Sequence, residues 1–124
     1  MNPGVMSARQ QKEFRIPERC WILEVSNDRG DDAVSVARAR VEPGVTTLWH
    51  ELTGIDERYL IVQGRGIVEI HGLPPAEVCP GDIVRIPAGA PQRITNPEKE
   101  DLIFFCVCSP RFRQEQYLAR PDLE

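Results

Sequence analysis

The amino-acid sequence predicts an all-β fold of the sandwich or barrel kind, and three observations carry the prediction. Clusters of turn-forming residues recur along the chain ("VEPGV", "HGLPPAE", "VCPGD", "IPAGAP", "TNPEKED"), drawing on 11 prolines and 9 glycines, and such clusters punctuate strands. The segments between them are short and rich in Val, Ile, Thr and aromatic residues, which suit a pleated, half-buried surface. No window of the central chain offers a convincing helix. Strands broken at this interval belong to a sandwich or a barrel.

In order, strands are expected over 20–26 ("CWILEVS"), 34–41 ("VSVARARV"), 46–52 ("TTLWHEL") and 57–62 ("ERYLIV"), each bounded by polar or glycine-containing turns. They continue over 66–71, 76–78, 83–86, 92–96 and 102–108 ("LIFFCVC"). Residues 1–14 are polar and read as a flexible or partner-contacting N-terminal segment, 15–112 as the barrel and 113–124 as a C-terminal tail. Ser109 and Pro110 suit an N-cap and a first helical position, so one helical turn is expected after them. There is no internal repeat, low-complexity tract or second domain.

A chain of 124 residues is the size of one domain, large enough for a self-sufficient core. With 19 acidic against 15 basic side chains the formal charge is -4 and no basic stripe stands out, so nucleic acid loses its usual electrostatic attraction as a partner. The N-terminus lacks an apolar run of signal-peptide length, and "DLIFFCVC" is too short to span a bilayer, so no membrane partner and a cytoplasmic location are expected. Cys20, Cys79, Cys106 and Cys108 lack paired C-x-x-C spacing, and in that compartment no disulfide is expected.

Strand alternation places side chains on faces. If His50 points inward, so do Thr46, Leu48 and Leu52, while Thr47, Trp49 and Glu51 point outward. "TGID" over 53–56 reads as a reversal, after which Glu57, Tyr59, Ile61 and Gln63 share a face. His50 and Glu57 are thereby expected to converge on one interior at a hairpin end.

The segment 44–64, "GVTTLWHELTGIDERYLIVQG", resembles the first motif of the cupin superfamily at Gly44, His50, Glu57 and Gly64, with Leu52 at the place of a second histidine. The segment 81–96, "GDIVRIPAGAPQRITN", is similar to the second cupin motif at Gly81, Pro87, Gly89 and Asn96, with Gln92 at the place of its histidine. The resemblance implies a small single-domain cupin: an all-β double-stranded β-helix, or jelly-roll barrel, whose inward side chains line a pocket. Its ligand positions map onto His50, Leu52, Glu57 and Gln92.

His50, Glu57 and Gln92 are therefore the candidate ligands of a divalent metal ion (Mn, Fe, Ni or Zn), but one imidazole, one carboxylate and one amide make a weakened set. A metal-free pocket, in which these groups bond one another, stands beside that reading. His50 and Glu57 are also the candidate catalytic acid and base. Leu48, Leu52, Tyr59 and Arg85 are candidate pocket residues, Tyr59 offering a polar tip and Arg85 a carboxylate partner. Arg38 and Arg40 share a face and offer the same chemistry.

Cys106 and Cys108 share a face and are read as small core residues that reach the site if that face is inward. His71 reads as an exposed turn residue, and Trp49 as buried between sheets or at a subunit contact. A homodimer is expected from the apolar, two-sided strands. The functional expectation is a barrel that binds a small oxygenated metabolite, either as a metal-dependent isomerase, lyase or oxygenase or as a metal-free binder. A vestigial pocket with a structural or partner role is the third reading.

Overall fold

The computed structural model describes all 124 residues and has eleven strands in two antiparallel sheets. One sheet runs in the order β1 (Phe14–Ile16), β2 (Cys20–Ser26), β3 (Ser35–Val41), β10 (Leu102–Ser109), β5 (Asp56–Gln63) and β8 (Ile83–Ile86). The other runs β11 (Tyr117–Ala119), β4 (His50–Leu52), β9 (Gln92–Thr95), β6 (Gly66–Ile70) and β7 (Ala76–Val78). From β3 onward the chain repeatedly passes from one sheet to the other, which gives the double-stranded β-helix its closed barrel. The predicted strands are present with ends shifted by a residue or two, apart from β4.

The inner faces of three neighbouring strands change character along the barrel. On β10 they read Leu102, Phe104, Cys106, Cys108; on β5, Ile61, Tyr59, Glu57; on β3, Val41, Ala39, Ala37, Ser35. Large apolar side chains at one end give way to small or polar ones at the other. The apolar end is closed by a cluster that includes Val41, Ile61, Val68, Val78, Ile94 and Leu102. A smaller cluster of Leu52, Ile55 and Cys108, packed by Phe112 and Tyr117, sits at the other end.

Two motif residues shape the closed end. Asn96 is fully buried; its Nδ2 donates to the carbonyls of Val41 and Glu100 (2.9 and 2.7 Å) and its Oδ1 accepts from the Glu98 N–H. Gly64 lies at φ +83°, and a Cβ there would stand 2.8 Å from the Asp101 carbonyl, so glycine is required on both counts.

The structure corrects three expectations. The strand expected over 46–52 is ordered as a strand only from His50, because the backbone before it bonds elsewhere: the Leu48 N–H donates to Glu18 O and the Thr47 N–H to Ile94 O. Alternation fails accordingly, with Thr47, Trp49 and His50 all buried. The "TGID" segment does not close a hairpin; it carries the chain from β4 in one sheet to β5 in the other, with Gly54 at φ +72°.

The helical turn expected after Ser109 is absent, since Ser109 ends β10 opposite Asp56 and its hydroxyl accepts from Arg58 Nη1 at 2.8 Å. Residues beyond it form a 3-10 turn (Gln114–Gln116) and then β11, which pairs with β4. The tail is pinned further by Arg120 donating to Glu51 Oε1 (2.7 Å) and by Glu124 Oε2 accepting the Trp49 N–H (2.6 Å). Trp49 is buried within the chain, beneath the Arg93 guanidinium (4.8 Å to the ring) and against the edge of His71. No helix is long and apolar enough to cross a membrane.

Candidate functional site

The small and polar inner faces leave a cavity of about 270 Å³ at the β4 and β11 end. Nineteen residues line it, twelve of them hydrophobic. β2, β3, β5 and β10 supply one wall, His50 and Leu52 of β4 another, and Phe14, Ile16, Pro17 and Glu18 together with Phe112, Gln114 and Tyr117 close over it. A mostly apolar concavity with a few convergent polar groups is the usual form of a small-molecule site.

His50 is held on three sides. Its Nδ1 lies 3.0 Å from the Leu48 carbonyl, its Nε2 lies 3.4 Å from Glu18 Oε1, and its ring stacks on Tyr117 with centroids 5.2 Å apart. A carbonyl only accepts, so Nδ1 carries a proton. Nε2 therefore faces the Glu18 carboxyl at the cavity wall, and the two form an imidazole–carboxyl pair.

Glu57, Gln92 and Tyr59 form a second, buried chain. Gln92 Nε2 donates to Glu57 Oε1 at 2.7 Å, and the Tyr59 hydroxyl donates to Gln92 Oε1. Cys108 Sγ stands 3.7 Å from Glu57 Oε2. Burial raises the Glu57 carboxyl above the usual carboxylate range, against the opposing pull of His50 and the Gln92 amide. Burial likewise raises Glu24, whose Oε2 is buried without a hydrogen-bond partner. It raises the thiols of Cys20, Cys106 and Cys108 as well, and all four cysteines are free. These thiols are neutral and poorly nucleophilic.

The three expected metal ligands are thus neighbours, all under 10% exposed, with His50 directly opposite Gln92 across the strands. Their polar atoms point at other partners, however. Gln92 is used at both ends, His50 faces Glu18 rather than Glu57, and Leu52 donates nothing. No three His, Cys, Asp or Glu side chains are grouped to hold a metal ion, so the donor set does not fit a divalent cation.

Leu52, Tyr59 and Glu57 line the cavity, and so do Cys106 and Cys108. Leu48 and Arg85 do not. Leu48 contributes its carbonyl to His50 rather than its side chain to the wall, because β4 begins only after it. Arg85 is exposed with Ile83 on the outer face of β8, since Val84 and Ile86 take the inner positions. Arg38 and Arg40 also face outward, toward Glu13. His71 is exposed, as expected.

Two residues escaped the sequence reading. Glu18 precedes β2 in a stretch assigned only to the start of the barrel, with no periodic pattern to orient it. Glu24 had a usable signal: it shares the inner face of β2 with Cys20 and Ile22 by alternation.

Comparison with known proteins places the architecture. The chain superimposes on Pac13 from Streptomyces, a nucleoside dehydratase, with a TM-score of 0.79 at 13% identity, covering 96% of this chain and 92% of that one. KdgF from Halomonas sp. gives 0.77 at 17% identity over 99% and 100% of the two chains. A predicted oxalate decarboxylase from Thermotoga maritima gives 0.77 at 22% identity over 86% and 99%. At these identities the likeness is one of fold. An uncharacterised protein of Methanocaldococcus jannaschii is 33% identical over 81 residues, or 65% of this chain, which spans 64% of the length of that curated relative. The Cupin domain model matches residues 37–108, the stretch from β3 to β10 that carries both motifs and nine of the nineteen cavity-lining residues, and the chain belongs to the cupin family.

Proposed function

We propose that this cupin binds a small oxygenated metabolite in the barrel without a metal chelate and moves a proton on it, as an isomerase or lyase. The observation that carries the reading is the His50–Glu18 pair, clamped by Leu48 O and Tyr117 and opening onto a 270 Å³ cavity. His50 Nε2, beside Glu18, is placed to exchange a proton with the ligand at a carbonyl or hydroxyl oxygen and at the adjacent carbon. His50 is the group that touches the ligand, and Glu18 positions it. Glu57, held by Gln92 and Cys108, is a second carboxyl on the cavity wall. Pac13, a nucleoside dehydratase also described with uridine, is a small-molecule-processing neighbour, which supports a ligand in this barrel.

The first test is a thermal-shift panel of hydroxy ketones, ketoses, polyols and their amino derivatives, followed by NMR of each binder in D2O. The reading expects a binder that exchanges a carbon-bound hydrogen with wild-type protein and not with His50→Asn. A panel with no binder, or exchange that survives the substitution, counts against it. The exposed Leu60, Val62 and Ile83, on β5 and the edge strand β8, support a homodimer through that face, which sedimentation would test.

A further inference from the structure

The charge and the walls of the cavity narrow the ligand further. Glu18, Glu24 and Glu57 all line it, and none of the chain's 15 Lys and Arg side chains does. Five aromatic rings line the same space: Phe14, Tyr59, Phe104, Phe112 and Tyr117. Carboxylates set among aromatic faces attract organic cations, because the ring face and the carboxylate are both negative. An anionic ligand would meet like charge with no guanidinium or ammonium among the lining residues to offset it.

The three carboxyls are not equivalent. Glu18 is engaged by His50 and by Cys20 Sγ (3.6 Å), and Glu57 by Gln92 and Cys108. Glu24 differs: it sits opposite Ala37 on the inner face of β2 with the Asn27 side chain beside its carboxyl, and its Oε2 has no hydrogen-bond partner. A buried carboxylate oxygen without a donor is costly, and a ligand N–H would relieve that cost. The cavity, about 270 Å³, has room for roughly nine waters at about 30 Å³ each, and so for a body of about that many heavy atoms.

We infer that the ligand is a small protonated amine, carried on an apolar body and seated with its ammonium on Glu24. This rests on the cavity being the ligand site, as proposed above, but not on the proton-transfer step. The ammonium supplies the N–H donors that Oε2 lacks, and the aromatic walls cover the carbon skeleton. The oxygenated end of the ligand is left to His50 and Glu57.

Three probes of matched size test it: 2-phenylethylamine, 2-phenylethanol and phenylacetate, titrated calorimetrically into the full chain at pH 7. The expected order is amine, alcohol, acid, with the amine bound about tenfold or more tightly than the alcohol, as one charged hydrogen bond provides. Glu24→Gln should bring the amine down to the level of the alcohol and leave the alcohol unchanged. Alcohol or acid binding as tightly as the amine, an amine preference that survives Glu24→Gln, or no binding of any probe would each overturn the assignment. The wild-type ranking stands without the variant. His50→Asn separates the two proposals, since it should abolish hydrogen exchange and leave the preference for the amine intact.

Discussion

At one end of the barrel Val41, Ile61, Ile94 and Leu102 are at most 1% exposed and form part of one continuous apolar cluster; at the other, His50, Glu57 and Gln92 are almost as deeply buried, yet polar. The same strands build both ends. Burial alone therefore does not distinguish a core from a site here; what differs is how each buried group is satisfied. Packing dominates the closed end, whereas at the open end His50, Glu57 and Gln92 each take a named partner, and the small side chains of β3 and β10 leave space beside them.

The largest effects should come from the closed end. Ile61→Ala or Leu102→Ala should cost about 2–5 kcal/mol in urea unfolding through lost burial and a residual cavity. Cys106→Ala, on the cavity wall, should cost about 1 kcal/mol or less, since it enlarges a space already present. Equal losses would erase the contrast between the ends. Gly66→Ala tests packing from the opposite direction. Its Cβ would stand 2.9 Å from Leu102 Cδ2 and 3.2 Å from Ile94 Cδ1, so about 1–3 kcal/mol of overpacking is expected.

At the open end, Tyr59→Phe deletes the donor to Gln92 Oε1 and should cost about 1–3 kcal/mol, although the side chain loses only one atom. A smaller effect concerns pH. The folded Glu57 carboxyl sits above its ordinary value of 4.5, so the native state binds more protons than the unfolded chain once pH exceeds that value. Its contribution is fully present below the unfolded pKa and is lost as pH rises through the folded one. Wild-type stability should thus decline relative to Glu57→Gln across that interval. Glu13, lowered by Arg40, acts in the opposite sense in both proteins and cancels in the difference. Parallel pH profiles would show that Glu57 is not desolvated.

How much of this was legible follows from the same contrast. The closed end could be read from residues alone, because Val, Ile and Leu at alternate positions and glycines at the turns are local signals, and two spaced motifs joined them into a barrel. The convergence of His50, Glu57 and Gln92 was legible from those motifs too. What those residues bond was not. His50 turns toward Glu18, which lies 32 positions earlier with no pattern to mark it, and the backbone before β4 leaves the strand for partners in other segments. Leu48 and Arg85 were misplaced for the same reason: alternation gives parity within a strand but not where the strand starts or which face is inner. The tail strand β11 was hidden because its pairing with β4 is long-range and its apolar content slight.

The central claim is that His50, Glu57 and Gln92 take partners within the chain and leave the cavity to a ligand rather than to a metal chelate. Calorimetric titration of Mn, Fe, Ni and Zn into chelator-free protein tests it most directly, with Leu52→His as the variant that restores a second imidazole. The account predicts no saturable binding to the wild type and a gain of binding in Leu52→His. One equivalent of metal bound by the wild type, with the rise in Tm that a native-state ligand must bring, would contradict it.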